Sequence, residues 1–213
     1  MTEWQGFEMT RQRLVAGGIL AGGESLRMGE LKEGVRLPDG RPMIEHVIDA
    51  VRGALDEGAP IAIAGRSAGW RIPPDSGLHH VFDRRQGRGP MGGLEALLGS
   101  RLGTHYLVCS CDQPLLTSPL LRRLVNAPGD RPTLLRSESG AILDPFPCLL
   151  PDTWLTEIRN ALSLDRLSVR VLLRGSDPEW VVIPDAWIEQ VRSINTPEDL
   201  ARLKADLETD ESR

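Results

Sequence analysis

The chain has 213 residues, 40% of them hydrophobic and 26% charged, which is ordinary globular composition with room for one large domain or two small ones, the single domain being favoured. A formal net charge of −5 argues against a general nucleic-acid-binding surface, which needs a basic excess, though it leaves room for a local basic site. Three cysteines do not make a disulfide framework and fit a reduced, cytoplasmic setting, and no apolar run approaches the length of a membrane span.

Met1 to Arg13 is polar and lacks the apolar region of a signal peptide, so it is expected to be a flexible leader. Leu14 to Leu20 is a short apolar run ending at a glycine pair and predicts a buried first strand. Asp39-Gly40 marks a tight turn, and Pro42 can open a helix on which Ile44, Val47, Ile48, Val51 and Leu55 fall at helical spacing. Ile61 to Ala64 predicts a second strand and Val81-Phe82 another. Met91, Leu94, Leu97 and Leu98 repeat the helical stripe, and Tyr106 to Cys109 is again strand-like.

Ser118-Pro119 reads as a helix start with Ser as cap, followed by Leu120, Leu121, Leu124 and Val125 on one face. In the second half Thr133 to Leu135 and Cys148 to Leu150 predict strands. Trp154, Leu155 and Ile158 predict a helix, and Thr196-Pro197-Glu198-Asp199 is a helix cap with acids in the first turn. Strands alternating with helices imply parallel β-α-β units, hence an α/β fold: a Rossmann-like three-layer α/β/α sandwich around a mostly parallel sheet. The polar residues 208–213 are expected to be disordered.

The chemistry gathers at strand ends. Ala21-Gly22-Gly23 directly follows the first strand, and glycines there let main-chain amides approach a ligand and form an anion-binding concavity. Arg27 and Lys32 follow within reach, which is the combination a triphosphate requires. Neither a Walker A loop nor a dinucleotide fingerprint has this spacing. Asp112 follows the Tyr106–Ser110 run, where a carboxylate would face the same crevice as the glycine loop. One carboxylate with substrate phosphates and water is enough to hold magnesium.

The string Leu20-Ala-Gly-Gly-x-Ser-x-Arg-Met-Gly29, followed by Lys32 and Gly40-Arg41-Pro42, resembles the opening of the molybdenum cofactor guanylyltransferases of the MobA type. The likeness continues through Asp83, Gly89-Pro90-Met91-Gly92-Gly93, Cys111-Asp112-Gln113-Pro114 and Ile194 to Leu200, and so covers about Leu14 to Lys204. The resemblance implies one nucleotidyltransferase domain over 14–207. It implies transfer of GMP from GTP to the terminal phosphate of molybdopterin cofactor, with Mg2+ and release of pyrophosphate. Proteins that deliver or accept the cofactor are implied as partners; nucleic acid and membrane are not.

Under the resemblance, Asp112, Lys32 and Arg27 serve catalysis, with Asp112 also the metal ligand. Leu20, Ala21, Gly22, Gly23, Lys32, Gly65, Asp83 and Asp112 bind the nucleotide. Asn195 matches a residue near the pterin side; on the residues alone it equally shapes the turn before a helix capped by Thr196. Arg84, Arg85 and Arg88 make the loop after Asp83 basic. Arg88 is the candidate for the pterin phosphate, and a solvated charged face is the plainer reading of the run.

Three positions depart from the family pattern. Lys32 to Gly40 carries one extra residue, so a register counted back from Gly40 puts Glu33 where a lysine is found; Lys32 is preferred because loop insertions are tolerated. Gly65 stands where an Asn near the base is common, so guanine preference would rest on main-chain contacts. Ser193 replaces the first Asn of Asn-x-Asn-Thr-Pro. A cytidylyltransferase acting on the same cofactor, a sugar- or lipid-precursor nucleotidyltransferase and a non-catalytic nucleotide-binding homologue therefore remain as alternatives. Cys109 and Cys111 are expected on one face as buried small apolar residues. His79-His80, pointing opposite ways on a strand, is not a metal pair. Trp154, Trp180 and Trp187 are read as packing.

Overall fold

The computed structural model describes residues 12–21, 35–65, 70–83, 85 and 87–210. Among these residues fifteen elements follow in chain order: β1 (Val15–Leu20), α1 (Met43–Ala54), β2 (Ile61–Ala64), β3 (Leu78–Val81), α2 (Pro90–Leu98), β4 (His105–Ser110), α3 (Ser118–Val125), β5 (Thr133–Ser137), β6 (Cys148–Pro151), a 3₁₀ turn (Asp152–Trp154), α4 (Leu155–Ser163), α5 (Val169–Arg174), β7 (Glu179–Ile183), a second 3₁₀ segment (Asp185–Val191) and α6 (Pro197–Asp210). Among the described residues the strands form one seven-stranded sheet in the order β3-β2-β1-β4-β6-β5-β7. β6 alone runs antiparallel to its neighbours, β4 and β5; the remaining pairings are parallel.

Alternation along the buried strands sorts side chains to two faces. Ile19, Ile61, Ile63, Leu107 and Cys109 pack against α1 and α3. Ala16, Leu20, Ala62, Ala64, Tyr106 and Val108 pack against α2, α4 and α5. This is the expected three-layer α/β sandwich. A third cluster joins Leu203 of α6 and Ile194 to Val35, Leu37 and Met43, with Leu115 beside them, so the C-terminal helix closes over the chain entering α1.

The glycines in the middle of β1 set how closely the helical layers approach. A Cβ on Gly17 would stand 2.6 Å from Val51 Cγ1 of α1, and one on Gly18 would stand 2.8 Å from Leu97 Cδ1 of α2. Alternate faces of one strand therefore each receive a helix at a distance only a missing side chain permits. Gly17→Ala should lower stability by about 1–3 kcal/mol, the usual cost of overpacking a filled core, seen as a melting temperature several degrees lower. An unchanged melt would show that Val51 can turn aside.

Several local expectations need correction. Pro42 is the residue before α1 rather than its first helical one, with extended backbone and a bridge to Arg36. β3 ends at Val81, leaving Phe82 66% exposed beyond it. Ser118 does not cap α3, because its hydroxyl donates to the Ala50 carbonyl of α1 (3.0 Å), and Thr117 takes the cap position. Arg13 is not part of a loose leader; its guanidinium donates to the carbonyls of Ala127 and Val125 at 2.6 and 2.7 Å. α6 continues to Asp210, into the segment expected to be disordered. The cap of α6 is as expected: Asp199 N–H donates to Thr196 Oγ1, and Asp199 Oδ2 accepts from the amides of Asn195 and Thr196, which holds its carboxyl below the usual carboxylate range.

Candidate active site

The parallel register brings four strands to one line at their carboxyl ends. Leu20 pairs with Ala64 on one side and Ser110 on the other, and Ala64 pairs with Val81. The main chain stays joined just beyond that line: Ala21 N–H donates to Ala64 O (2.8 Å), Cys111 N–H to Leu20 O (3.1 Å) and Gly65 N–H to Val81 O (3.3 Å). Leu20, Ala21, Gly65, Asp83 and Asp112 therefore border the same end of the sheet, the end at which open α/β folds bind ligands. Gly22, Gly23, Arg27 and Lys32, and with them Glu33, lie outside the described residues.

Gly65 has φ 106°, a backbone region closed to most side chains. A side chain would be strained with this backbone, and the position offers only main-chain groups. The carbonyl is already engaged, accepting a hydrogen bond from His80 Nε2–H at 2.9 Å. His80 in turn lies 4.0 Å, centroid to centroid, from the ring of Phe82. The sequence reads the histidine pair only as opposed strand residues and carries no sign of the bond to Gly65, which the β2–β3 register reveals.

Asp83, two residues past β3, turns back toward the start of α2. A Cβ on Gly92 would be 3.4 Å from Asp83 Oδ2; one on Gly93 would be 3.8 Å from Oδ1 and 2.8 Å from Leu20 Cδ2. The glycine pair thus makes space where carboxylate, helix start and first strand meet. Asp83 Oδ1 is buried with no hydrogen-bond partner among the described residues, and burial raises the carboxyl's pKa.

The basic run after Asp83 is divided between two anchors. Arg85 pairs with Glu95 of α2 (3.4 Å), and Arg159 of α4 pairs with the same carboxylate (3.2 Å); Glu95 is only 6% exposed. Arg88 pairs with Asp165 in the α4–α5 turn. The guanidinium expected to meet a substrate phosphate is therefore drawn to the outer helical layer, as a salt bridge at the surface. Arg84 lies outside the described residues.

Asp112 is two residues past β4 and 9% exposed. Its carbonyl accepts from Ile194 N–H at 2.8 Å, which brings Asn195 beside the Asp112 turn. Asn195 itself is exposed, and its amide serves the α6 cap. Oxygen donors of this kind suit a hard divalent cation, which takes one or two carboxylates and completes its shell with phosphates and water; the buried, unpartnered oxygen of Asp83 and the nearly buried Asp112 fit that chemistry.

The MobA-like NTP transferase domain family matches residues 17–190. The chain belongs to that family. A molybdenum cofactor guanylyltransferase of Pseudomonas fluorescens is 30% identical over 183 residues, spanning 84% of this chain and 88% of that protein. Among solved structures, molybdopterin-guanine dinucleotide biosynthesis protein A of Archaeoglobus fulgidus superposes with TM-score 0.70 at 19% identity, covering 91% of this chain and 99% of that one. The Rv0371C protein of Mycobacterium tuberculosis, crystallised as a complex with manganese, has TM-score 0.62 at 16% identity, covering 91% and 99%. The MobA-like match thus begins inside β1 and runs through β7, taking in both strand-end carboxylates.

Proposed function

We propose that this MobA-like transferase moves GMP from GTP to the terminal phosphate of molybdopterin cofactor and releases pyrophosphate. The observation that carries the reading is Asp112 two residues past β4, a strand in register with β1 up to Leu20↔Ser110, with the Asp112 carbonyl tied to Ile194. The choice of substrates rests on the Pseudomonas relative. In the reaction an oxygen of the acceptor phosphate bonds to the α-phosphorus of GTP, the bond from that phosphorus to the bridging oxygen breaks, and pyrophosphate leaves with the electron pair.

Asp83 and Asp112 follow strands three spacings apart, about 14 Å along the sheet edge at the usual strand separation, with the β1 and β2 ends between them. That span suits a nucleoside triphosphate lying across the edge, its phosphates toward the β1 end and its base near Gly65. Magnesium, held by Asp112 under this reading, supplies positive charge against the phosphate oxygens when bound. Asn195 would border the acceptor. No helix among the described residues is long and apolar enough to cross a membrane, and a cytoplasmic site of action is part of the proposal.

Pyrophosphate release should be measured with each of the four nucleoside triphosphates, magnesium and molybdopterin cofactor. Release with GTP alone supports the reading; release with CTP would move the protein to cytidylyl transfer, and nucleotide binding without release would make it non-catalytic. Lys32→Ala should raise the KM for the nucleotide about 10- to 100-fold, the worth of one charge-assisted phosphate contact. An unchanged KM, with Glu33→Ala altering it instead, would show that the loop is counted from its other end.

A further inference from the structure

Between Asp112 and Pro114 stands a side chain that the motif treats as a spacer. Gln113 is 0% exposed, and its amide is committed on both sides. Nε2–H donates to Phe146 O at 2.7 Å and to Val191 O at 2.8 Å. Oε1 accepts from Ser110 N–H at 3.3 Å. The two carbonyls accept only, so the orientation of the amide is determined by its partners. The main chain of the same turn adds two bonds: Gln113 N–H to Ser110 O, and Ile194 N–H to Asp112 O.

Three segments far apart in sequence therefore meet on one side chain: the exit of β4, the chain entering β6 and the end of the second 3₁₀ segment. The last leads within four residues to Asn195. Glutamine suits the position because two carbonyls need two donors, while the Ser110 amide needs an acceptor at the same reach. Asparagine is one methylene short, methionine has the length without the donors, and glutamate would set a charge against two carbonyl oxygens.

We propose that Gln113 is a positioning residue for the transfer step: it holds the Asp112 turn in fixed register with the Val191–Asn195 segment, so that nucleotide and acceptor are presented to each other in line. The proposal rests on the nucleotidyl-transfer reading above. Gln113 touches neither substrate under it; its action is through the main chain of Asp112 and Val191. Loosening a well-placed group by about 1 Å typically costs around a hundredfold in rate, so the loss should fall on kcat more than on the KM for the nucleotide.

The test compares Q113M, Q113E and Q190A with the wild-type chain. Gln190 accepts from Thr117 Oγ1 at 2.6 Å, so Q190A loosens the same 3₁₀ segment from α3 without touching the Asp112 turn. Q113M should lower kcat for pyrophosphate release about 30- to 100-fold with the nucleotide KM within about threefold, and Q113E should do the same, whereas Q190A should keep kcat. In hydrogen exchange, residues 110–115 and 191–195 should lose protection together in Q113M, whereas in Q190A only residues 185–190 should, because Gln113 still holds Val191. A folded Q113M with near-normal kcat, or a Q190A that loses as much, overturns the proposal, and so does failure of both Gln113 variants to fold, which would make the residue a support of the fold alone. A wild-type chain that releases no pyrophosphate defeats the transfer reading instead, and the exchange pattern still reports whether Gln113 joins the two segments.

Discussion

Asp112→Asn should lower pyrophosphate release by about a thousandfold, several kcal/mol of transition-state stabilisation, while leaving the chain folded. Asparagine keeps the shape of the side chain and removes only its charge, so a loss of this size can be assigned to electrostatics. The position argues for it. The carboxylate sits just past a strand whose register with β1 is continuous from Val15↔His105 to Leu20↔Ser110, and it is nearly withdrawn from solvent. Raising the magnesium concentration should recover little of the rate, because the missing partner is the protein's and not the ion's. A variant within tenfold of wild type at saturating GTP would remove Asp112 from the mechanism. The isothermal binding of GTP in the absence of metal should change far less, which separates loss of metal chemistry from collapse of the nucleotide site.

Much of this arrangement is legible in the residues. Short apolar runs separated by helical stripes specify β1, β2, β4 and the helices between them, and the periodicity even places Cys109 and Cys111 on one sheet face, where both are buried. What escaped has physical reasons. α5 has six residues and too little length for a period to emerge, and β7 is a partly exposed strand at the sheet's edge that lacks the continuous apolar run of a central strand. The strand at 148–151 is legible, but its reversed direction is not, because direction depends on which neighbours it meets in space. Ser118 followed by Pro119 is a cap signal, yet a hydroxyl takes the better acceptor, and only the packing of α3 on α1 puts the Ala50 carbonyl within reach.

The site shows the same division. Asp112 stands out because strand ends collect ligands in this architecture, and the family resemblance marks Asp83 and Gly65. The charged run around Arg88 gives no hint of its partners: Glu95 is hidden among Met91, Leu94 and Leu97 in a helical stripe, and Asp165 is 77 residues away from Arg88. Gln113 carries no periodic or charge signal at all. A long amide between a strand-end acid and a proline is the one sign that such a buried connector exists. Tertiary partners, rather than residue type, decide which polar groups are free to meet a substrate.

Asp83→Asn should raise stability and weaken nucleotide use at once. Burial lifts the Asp83 carboxyl above its ordinary pKa, so the folded chain binds that proton more tightly than the unfolded chain does. The stability this group contributes is complete below the unfolded value, near 3.9 for an aspartate, and is lost as pH rises through the folded value. At neutral pH the ionised carboxylate is a cost, with Oδ1 unmatched among the described residues. Asparagine removes the charge, and the melting temperature at pH 7 should rise by about 1–2 °C, a small shift because the side chain is only partly buried and solvent screens it. Near pH 3 the two proteins should melt together. The KM for GTP should meanwhile rise about tenfold, the worth of one hydrogen bond to a charged group. A variant less stable at pH 7 would mean that the carboxylate earns its place through contacts within the fold. The opposed changes would mean that a charge is kept at the strand end against the interest of stability, the pattern of a side chain retained for a ligand.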